Sequence, residues 1–493
     1  MLRMLQRPLA LVLLPLTLLS ATGCTSVRRV PAVEAQPPTE DTIVGITTLA
    51  GAGFEFDDPG TIRADTVFAT VAKRPVAIPV DSVQRWWLRR TDAGKTVLGV
   101  LGITAGVILA IGIIAAATKE SCPFIYSWDG NRYVFEAEPY GGAITPGLER
   151  DDYGVLPTLR SQGGTYRLLV TNEVNETQMT NLFSLWAVDH APGVRVVPDE
   201  WGGLHTLSRP LPPTRAVSGD GRDLRSWLVA DDRHIWEPLP LADSAGGLRD
   251  EIVLTFPRPA GATRAKLVTR AGTALWGSHM IRAMLELRGT AVNQWYAQVD
   301  RNPAVADSIR TWAVREELYG LLLQVEEPDG WSLRGILPGS GPFLAAERVV
   351  PLDLSKVEGD SLRIRIRPPR GFWALNSFAI DYSDDQPLAV DTIAPTSASD
   401  NGVLAAVTAA DTLYHAMPNS GDRATLEFPA PPTRPGKART VVLHSRGWYR
   451  LHLSPTGPPD TAMVRRILEE PGAAVEYSAS QYRQWPMAVR RAP

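Results

Sequence analysis

Cysteine is nearly absent. Cys24 and Cys122 are the two among 493 residues, too few for a disulfide framework or a zinc site built on paired CxxC motifs. Histidine is scarce as well: the seven are His190, His205, His234, His279, His415, His444 and His452. No HxxxH or HExxH spacing sets two imidazoles on one helix face, so the sequence offers no such metal site. Gly277-Ser278-His279 lacks the G-x-S-x-G elbow, and adjacent side chains such as Asp189-His190 diverge on any regular element. Gly94-Lys95-Thr96 has the end of a phosphate-binding loop without its beginning, since Arg89 stands where the first glycine is needed. Charge of one sign is lacking too: a formal net charge of −3 speaks against a nucleic-acid partner.

What is present is material for folded β structure. The chain is 44% hydrophobic with 14 Trp, and Gly and Pro number 41 each, which favours short strands and many turns. Its length calls for two or three domains.

The first residues read as a targeting segment. Arg3 and Arg7 precede an apolar stretch from Leu9 to Leu19, and Ala21-Thr22-Gly23 place small residues before Cys24. This resembles a bacterial lipoprotein signal, which implies removal of residues 1–23, lipidation of Cys24 and an acyl anchor in membrane lipid. An ordinary signal peptide and an uncleaved anchor helix are the alternatives; all three imply export. Residues 24–41, with Pro31, Pro37 and Pro38, read as a tether.

Residues 42–92 alternate in strand fashion around the Asp58-Pro59-Gly60 turn, and the pattern is similar to small Sm-like or SH3-like barrels. An uncharged apolar run at 97–118 follows, within a helix expected over 95–118. At roughly 1.5 Å per residue it reaches about 33 Å, enough for a hydrocarbon core. Trp86 and Trp87 among arginines suggest an interfacial belt, or else the closing side chains of the barrel. Gly99, Gly102 and Gly106 would permit helix-mediated oligomers. A lipidated N-terminus and the excess of basic residues upstream of the run imply opposite orientations, and the sequence does not choose between them.

From 121 onward the expectation is β: a domain over 121–245, a sandwich over 246–385 with a helical insertion at 273–318, and a Pro-rich region over 386–493 with short strands and a helix capped by Asp460. Asp129-Gly130 between Tyr126-Ser127-Trp128 and Arg132-Tyr133-Val134-Phe135 marks a hairpin. Ser361 to Arg367 alternates apolar residues with arginine at period two. The segment Cys122-Pro123-Phe124-Ile125-Tyr126-Ser127-Trp128-Asp129-Gly130 resembles a stretch of uncharacterised bacterial envelope proteins. Arg363 to Tyr382 is similar to the closing strands of galactose-binding-like β-sandwiches. The fold class is therefore mainly β: small barrel, one apolar transmembrane-like helix, then β-sandwich domains with a helical insertion.

Three sets of side chains invite a chemical reading. Glu136 and Glu138, two apart on one strand face and near Asp129 and Asp151-Asp152, offer oxygens to a metal such as Ca²⁺, against an acidic solvent face as the plain alternative. Trp128, Tyr133, Trp331 and Trp373, with Tyr140 and Phe372, are candidates for a sugar-stacking platform, against burial in the core. Cys122 is a lone thiol with only Lys119 near it to lower its pKa. No catalytic residue and no cofactor is implied. The expectation is a membrane-anchored lipoprotein of the bacterial cell envelope, without enzymatic activity, that binds or scaffolds an envelope component. Alternatives are a glycan-binding protein using the sandwich and an envelope hydrolase.

Overall fold

The computed structural model describes residues 26–31, 42–48, 53–63, 66–71, 74–90, 123–232, 235–238 and 247–489. The chain divides into two compact units, Met1–Ile114 and Ala115–Pro493.

The first unit is a six-stranded antiparallel sheet in the order Ser26–Pro31, Val83–Arg90, Thr42–Thr48, Gly53–Arg63, Thr66–Val71, Arg74–Pro79. Ile43, Ile46, Phe56, Val67, Val83 and Trp86 form its core. Trp86 is 1% exposed and Trp87 donates its indole N–H to Thr47 Oγ1 at 3.0 Å, so neither forms an interfacial belt. Gly45 is required here: a Cβ would lie 2.5 Å from the Trp87 ring and 2.6 Å from the Phe54 carbonyl. Part of the expected tether is in fact strand, since Ser26–Pro31 pairs along Arg85 to Arg90.

Among the described residues no helix is long and apolar enough to cross a membrane. The fold class is corrected accordingly: mainly β, with no transmembrane-like helix in the described fold. Residues 95–118, where that helix was expected, lie outside the described residues, as do Cys24 and Cys122.

The second unit carries two β-sandwiches, one interrupted by the other. One sheet of the first sandwich runs Ser397–Ala398, Arg423–Pro429, Thr165–Thr171, Phe124–Trp128, Tyr133–Ala137. The facing sheet runs Ala389–Ile393, Glu176–His190, Ala438–Leu451, Arg150–Val155. Phe183, Leu185, Ala187, Val441 and Leu443 point into the core between them, as alternation on a half-buried strand requires. The strands of 386–493 are thus not a region apart. Arg423–Pro429 pairs along all of Thr165–Thr171, and Ala438–Leu451 along Glu176–His190.

The second sandwich packs a five-stranded sheet (Arg215–Ser218, Ile252–Pro257, Ser361–Ile366, Gly320–Glu327, Gly330–Pro338) on a three-stranded one (Ala346–Asp353, Arg264–Thr273, Trp373–Asp381). Leu362, Ile364 and Ile366 are fully buried while Arg363 and Arg365 lie over the Trp331 ring on the other face. The helical insertion is three helices, Leu275–Glu286, Val292–Arg301 and Pro303–Arg315. It breaks at Gly289, whose φ of +48° suits glycine, and at Pro303. Helix Thr461–Glu469 is capped by Asp460, whose side chain accepts from Met463 N.

A hairpin, Arg195–Pro198 with Leu204–Leu207, joins the two sandwiches. Val196 packs with Val188 and Val442 of the first, and Val197 with Val268 and Val349 of the second. Both faces of this short strand are buried, which is why its apolar residues are consecutive.

Candidate functional site

The cores leave a cavity of about 580 Å³ where the edge strands Tyr133–Ala137 and Arg150–Val155 of the first sandwich meet residues of the second. Such junctions are common places for ligands. Alternation on the edge strand sorts its residues. Asp152 and Gly154 line the cavity, while Tyr153, on the opposite face, stacks on His444 at 4.7 Å.

The cavity wall carries the carboxyls of Glu136, Glu138, Asp152, Asp231 and Glu347. Against them stand the guanidinium groups of Arg160, Arg195, Arg270, Arg348 and Arg439. Most are paired with each other. Asp152 accepts from Arg348 Nη2 at 2.7 Å, Arg150 Nη2 at 3.0 Å and Tyr140 N at 3.2 Å. Arg270 bridges Asp231 at 3.0 Å and Glu347 at 3.6 Å, and Glu347 also pairs with Arg195. His190 is held by the Ala191 carbonyl and Thr440 Oγ1, each at 3.0 Å. Ser445, fully buried in the wall, has a hydroxyl with no hydrogen-bond partner among the described residues. A buried hydroxyl left so is a site for water or a ligand oxygen.

Glu136 and Glu138 both reach this cavity but have separate partners. Glu136 accepts from Ser127 Oγ and from Thr158 N at 2.8 Å, and burial pushes its carboxyl above the ordinary range. Glu138 accepts from Phe343 N at 2.9 Å and lies so close over Gly341 that any Cβ there would collide with its carboxyl. Among the described residues no group of three or more His, Cys, Asp or Glu side chains is placed to hold a metal. The carboxylates serve hydrogen bonds within the fold. Asp152, read from sequence as part of an acidic face, is 8% exposed and ion-paired.

The aromatic candidates do not share a surface. Trp373 is fully buried and donates to the Glu317 carbonyl at 2.7 Å, and Tyr140 and Phe372 are buried too. Trp128 and Tyr133 meet edge to face at 5.2 Å on the first sandwich, whereas Trp331 lies on the second, 4.6 Å below the Arg365 guanidinium. An exposed aromatic that the sequence pattern did not single out is Trp201, 84% exposed at the tip of the joining hairpin. Asp199 holds that tip by accepting from Trp201 N at 2.8 Å and Gly203 N at 2.7 Å. The signal was legible in Asp199-Glu200-Trp201-Gly202-Gly203, an Asx turn with paired glycines.

No family model matches the chain, and no curated protein does. Among solved structures it is similar to a β-porphyranase of glycoside hydrolase family 86 from the human gut bacterium Bacteroides plebeius. That likeness has 10% identity and a TM-score of 0.16, over 52% of this chain and 40% of the other. A second is an arabinofuranosyltransferase from Mycobacteria, at 12% identity and a TM-score of 0.17, over 88% of this chain and 31% of the other. The chain spans less than half the length of either, and likenesses at these TM-scores carry no argument about its fold or its chemistry.

Proposed function

We propose that this chain is a non-enzymatic binding protein of the bacterial cell envelope, lipidated at Cys24, that takes a neutral, hydroxyl-rich ligand of the saccharide class in the cavity between its sandwiches. The observation that carries the reading is the balance of charge in the cavity wall, five carboxyls against five guanidinium groups, mostly ion-paired. A strongly anionic or cationic ligand would have to break those pairs. Hydroxyl groups, which donate and accept at once, can join a wall of paired donors and acceptors without unbalancing it. The unpartnered Ser445 hydroxyl adds one more group of the same kind.

Calorimetric titration of the full chain with oligosaccharides identified on a glycan array tests this. Arg270→Gln is expected to weaken binding by about tenfold or more, a hydrogen bond to a charged group contributing about 1.5–3 kcal/mol, and Ser445→Val by about two- to tenfold, a neutral hydrogen bond contributing about 0.5–1.5 kcal/mol. Trp331→Ala, away from the cavity, is expected to leave it unchanged. Loss of binding in Trp331→Ala with full retention in the two cavity variants would place the sugar elsewhere. The anchor is tested separately: Cys24→Ser should abolish acylation seen by mass spectrometry and release the chain from the membrane fraction.

Trp201 favours a second reading, contact with a protein partner. An exposed indole on a turn held by hydrogen bonds is the type of side chain that anchors protein interfaces. Trp201→Ser would then abolish cross-links to that partner without altering saccharide binding.

A further inference from the structure

A second cavity, of about 90 Å³, lies where the helical insertion meets helix Thr461–Glu469. Its wall is formed by Ile281, Met284, Leu285, Ile309, Trp312 and Ile467, among other apolar side chains, and Arg288 is the one charged residue in it. The Arg288 guanidinium lies 4.2 Å above the ring of Trp295, which also lines the cavity. Among the described residues no carboxylate pairs with it. The neighbouring Glu286 is turned toward Arg282, at 3.9 Å. This sets Arg288 apart from the arginines of the first cavity, most of which have an acidic partner. Burial holds its pKa down to about 10, a sign that the charge is poorly compensated.

A cation without a counter-ion at the wall of an apolar cavity is complementary to one ligand chemistry: an anionic head on a small apolar body. We propose that this cavity binds a short aliphatic carboxylate, its head paired bidentately with Arg288 and its chain among Leu285, Ile309 and Trp312. The volume sets the length. An apolar cavity of about 150 Å³ accommodates the six carbons of benzene, so one of about 90 Å³ suits a body of roughly three to four carbons. The planar guanidinium fork can pair bidentately with the two oxygens of a carboxylate. This site is distinct from the saccharide cavity, shares no lining residue with it, and does not rest on that reading.

The test is calorimetric titration of the full chain with butanoate, 1-butanol and butylamine, which have bodies of similar size and differ in head charge. Butanoate is expected to bind saturably, butanol at least about tenfold more weakly, and butylamine not at all. Arg288→Met keeps much of the apolar stem and should lower butanoate affinity to that of butanol. Ala313→Leu fills the cavity from its wall and should lower the affinity for both, which keeps the test decisive if the Arg288 variant fails to fold. No saturable butanoate binding, equal affinity for butanoate and butanol, or full butanoate affinity in Ala313→Leu would each overturn the proposal.

Discussion

Asp189 is the residue whose loss should cost the first sandwich most. Its side chain is fully buried on strand Glu176–His190. One oxygen accepts from Arg439 Nε at 2.7 Å; the other accepts from Arg439 Nη2 at 2.9 Å, Arg434 Nη1 at 3.0 Å and Arg434 N at 3.0 Å. Arg439 is itself only 8% exposed. Asp189→Asn keeps the shape and removes the charge, leaving the Arg439 guanidinium buried without a counter-ion. Breaking a buried pair in this way costs about 3–5 kcal/mol, well above the ~1 kcal/mol of a surface pair. The assay is urea unfolding followed by near-ultraviolet circular dichroism, with Asp189→Asn compared against Asp189→Asn/Arg439→Met. The single variant should lose the full amount, and the double variant should recover part of it by removing the stranded cation. Acid provides a second reading of the same pair. Burial alone would raise the Asp189 carboxyl, but the hydrogen bonds from Arg439 and Arg434 outweigh it and hold the pKa down to about 2, against an ordinary 3.8. The folded chain thus holds this proton less tightly than the unfolded chain. The stabilisation is complete above about 3.8 and is lost as the pH falls toward 2, and Asp189→Asn should lack that component of the acid transition. A single-variant cost below about 1 kcal/mol, with no change in the acid transition, would refute the reasoning.

Other expectations follow from the same packing. Gly447→Ala would place a Cβ 2.4 Å from the Met179 carbonyl and 2.9 Å from the Tyr140 ring, and should destabilise by about 1–3 kcal/mol in a thermal melt. Trp373→Ala should cost about 3–5 kcal/mol, because the indole is fully buried and its N–H bond to Glu317 is lost as well. Trp331→Ala, which forfeits cation–π contacts on a sheet surface, should cost about 1 kcal/mol or less in the same denaturant series. Trp201→Ala should leave stability within about 0.5 kcal/mol, since the side chain is 84% exposed.

Local physics was legible in the sequence, and long-range pairing was not. The Asp129-Gly130 turn forms as its residues require: Gly130 has a φ of +100°, and Asp129 accepts from Asn131 N at 2.7 Å and Arg132 N at 2.8 Å. The alternation of Ser361–Ile366 and the Asp460 cap were equally local and equally readable. Nothing in the local pattern of Ala438–Leu451, however, states that its partner lies some 250 residues earlier, as in the Asp189–Arg439 contact. The candidate cavity was half visible for this reason. Glu136 and Glu138 could be named from one strand, but Arg348 meets Asp152 across 196 residues. Trp373 and Trp331 show a further limit: both read as strand aromatics, and only the packing of the sheets decides that one is core and the other surface.

The interrupted sandwich has a consequence for biogenesis. As the chain is made from its N-terminus, strands Phe124–Trp128 through Glu176–His190 emerge long before Arg423–Pro429 and Ala438–Leu451, on which their pairing depends. The inserted sandwich has all its strands by Asp381 and can close first, its core completed later by Ile467, Ala474 and Val475, while the outer one waits with hydrogen-bonding edges and apolar faces uncovered. A nascent chain arrested near residue 400 should therefore hold the inserted sandwich as a protease-resistant module while the strands between Phe124 and His190 stay unprotected, and it is in that interval that a holding chaperone would be needed most.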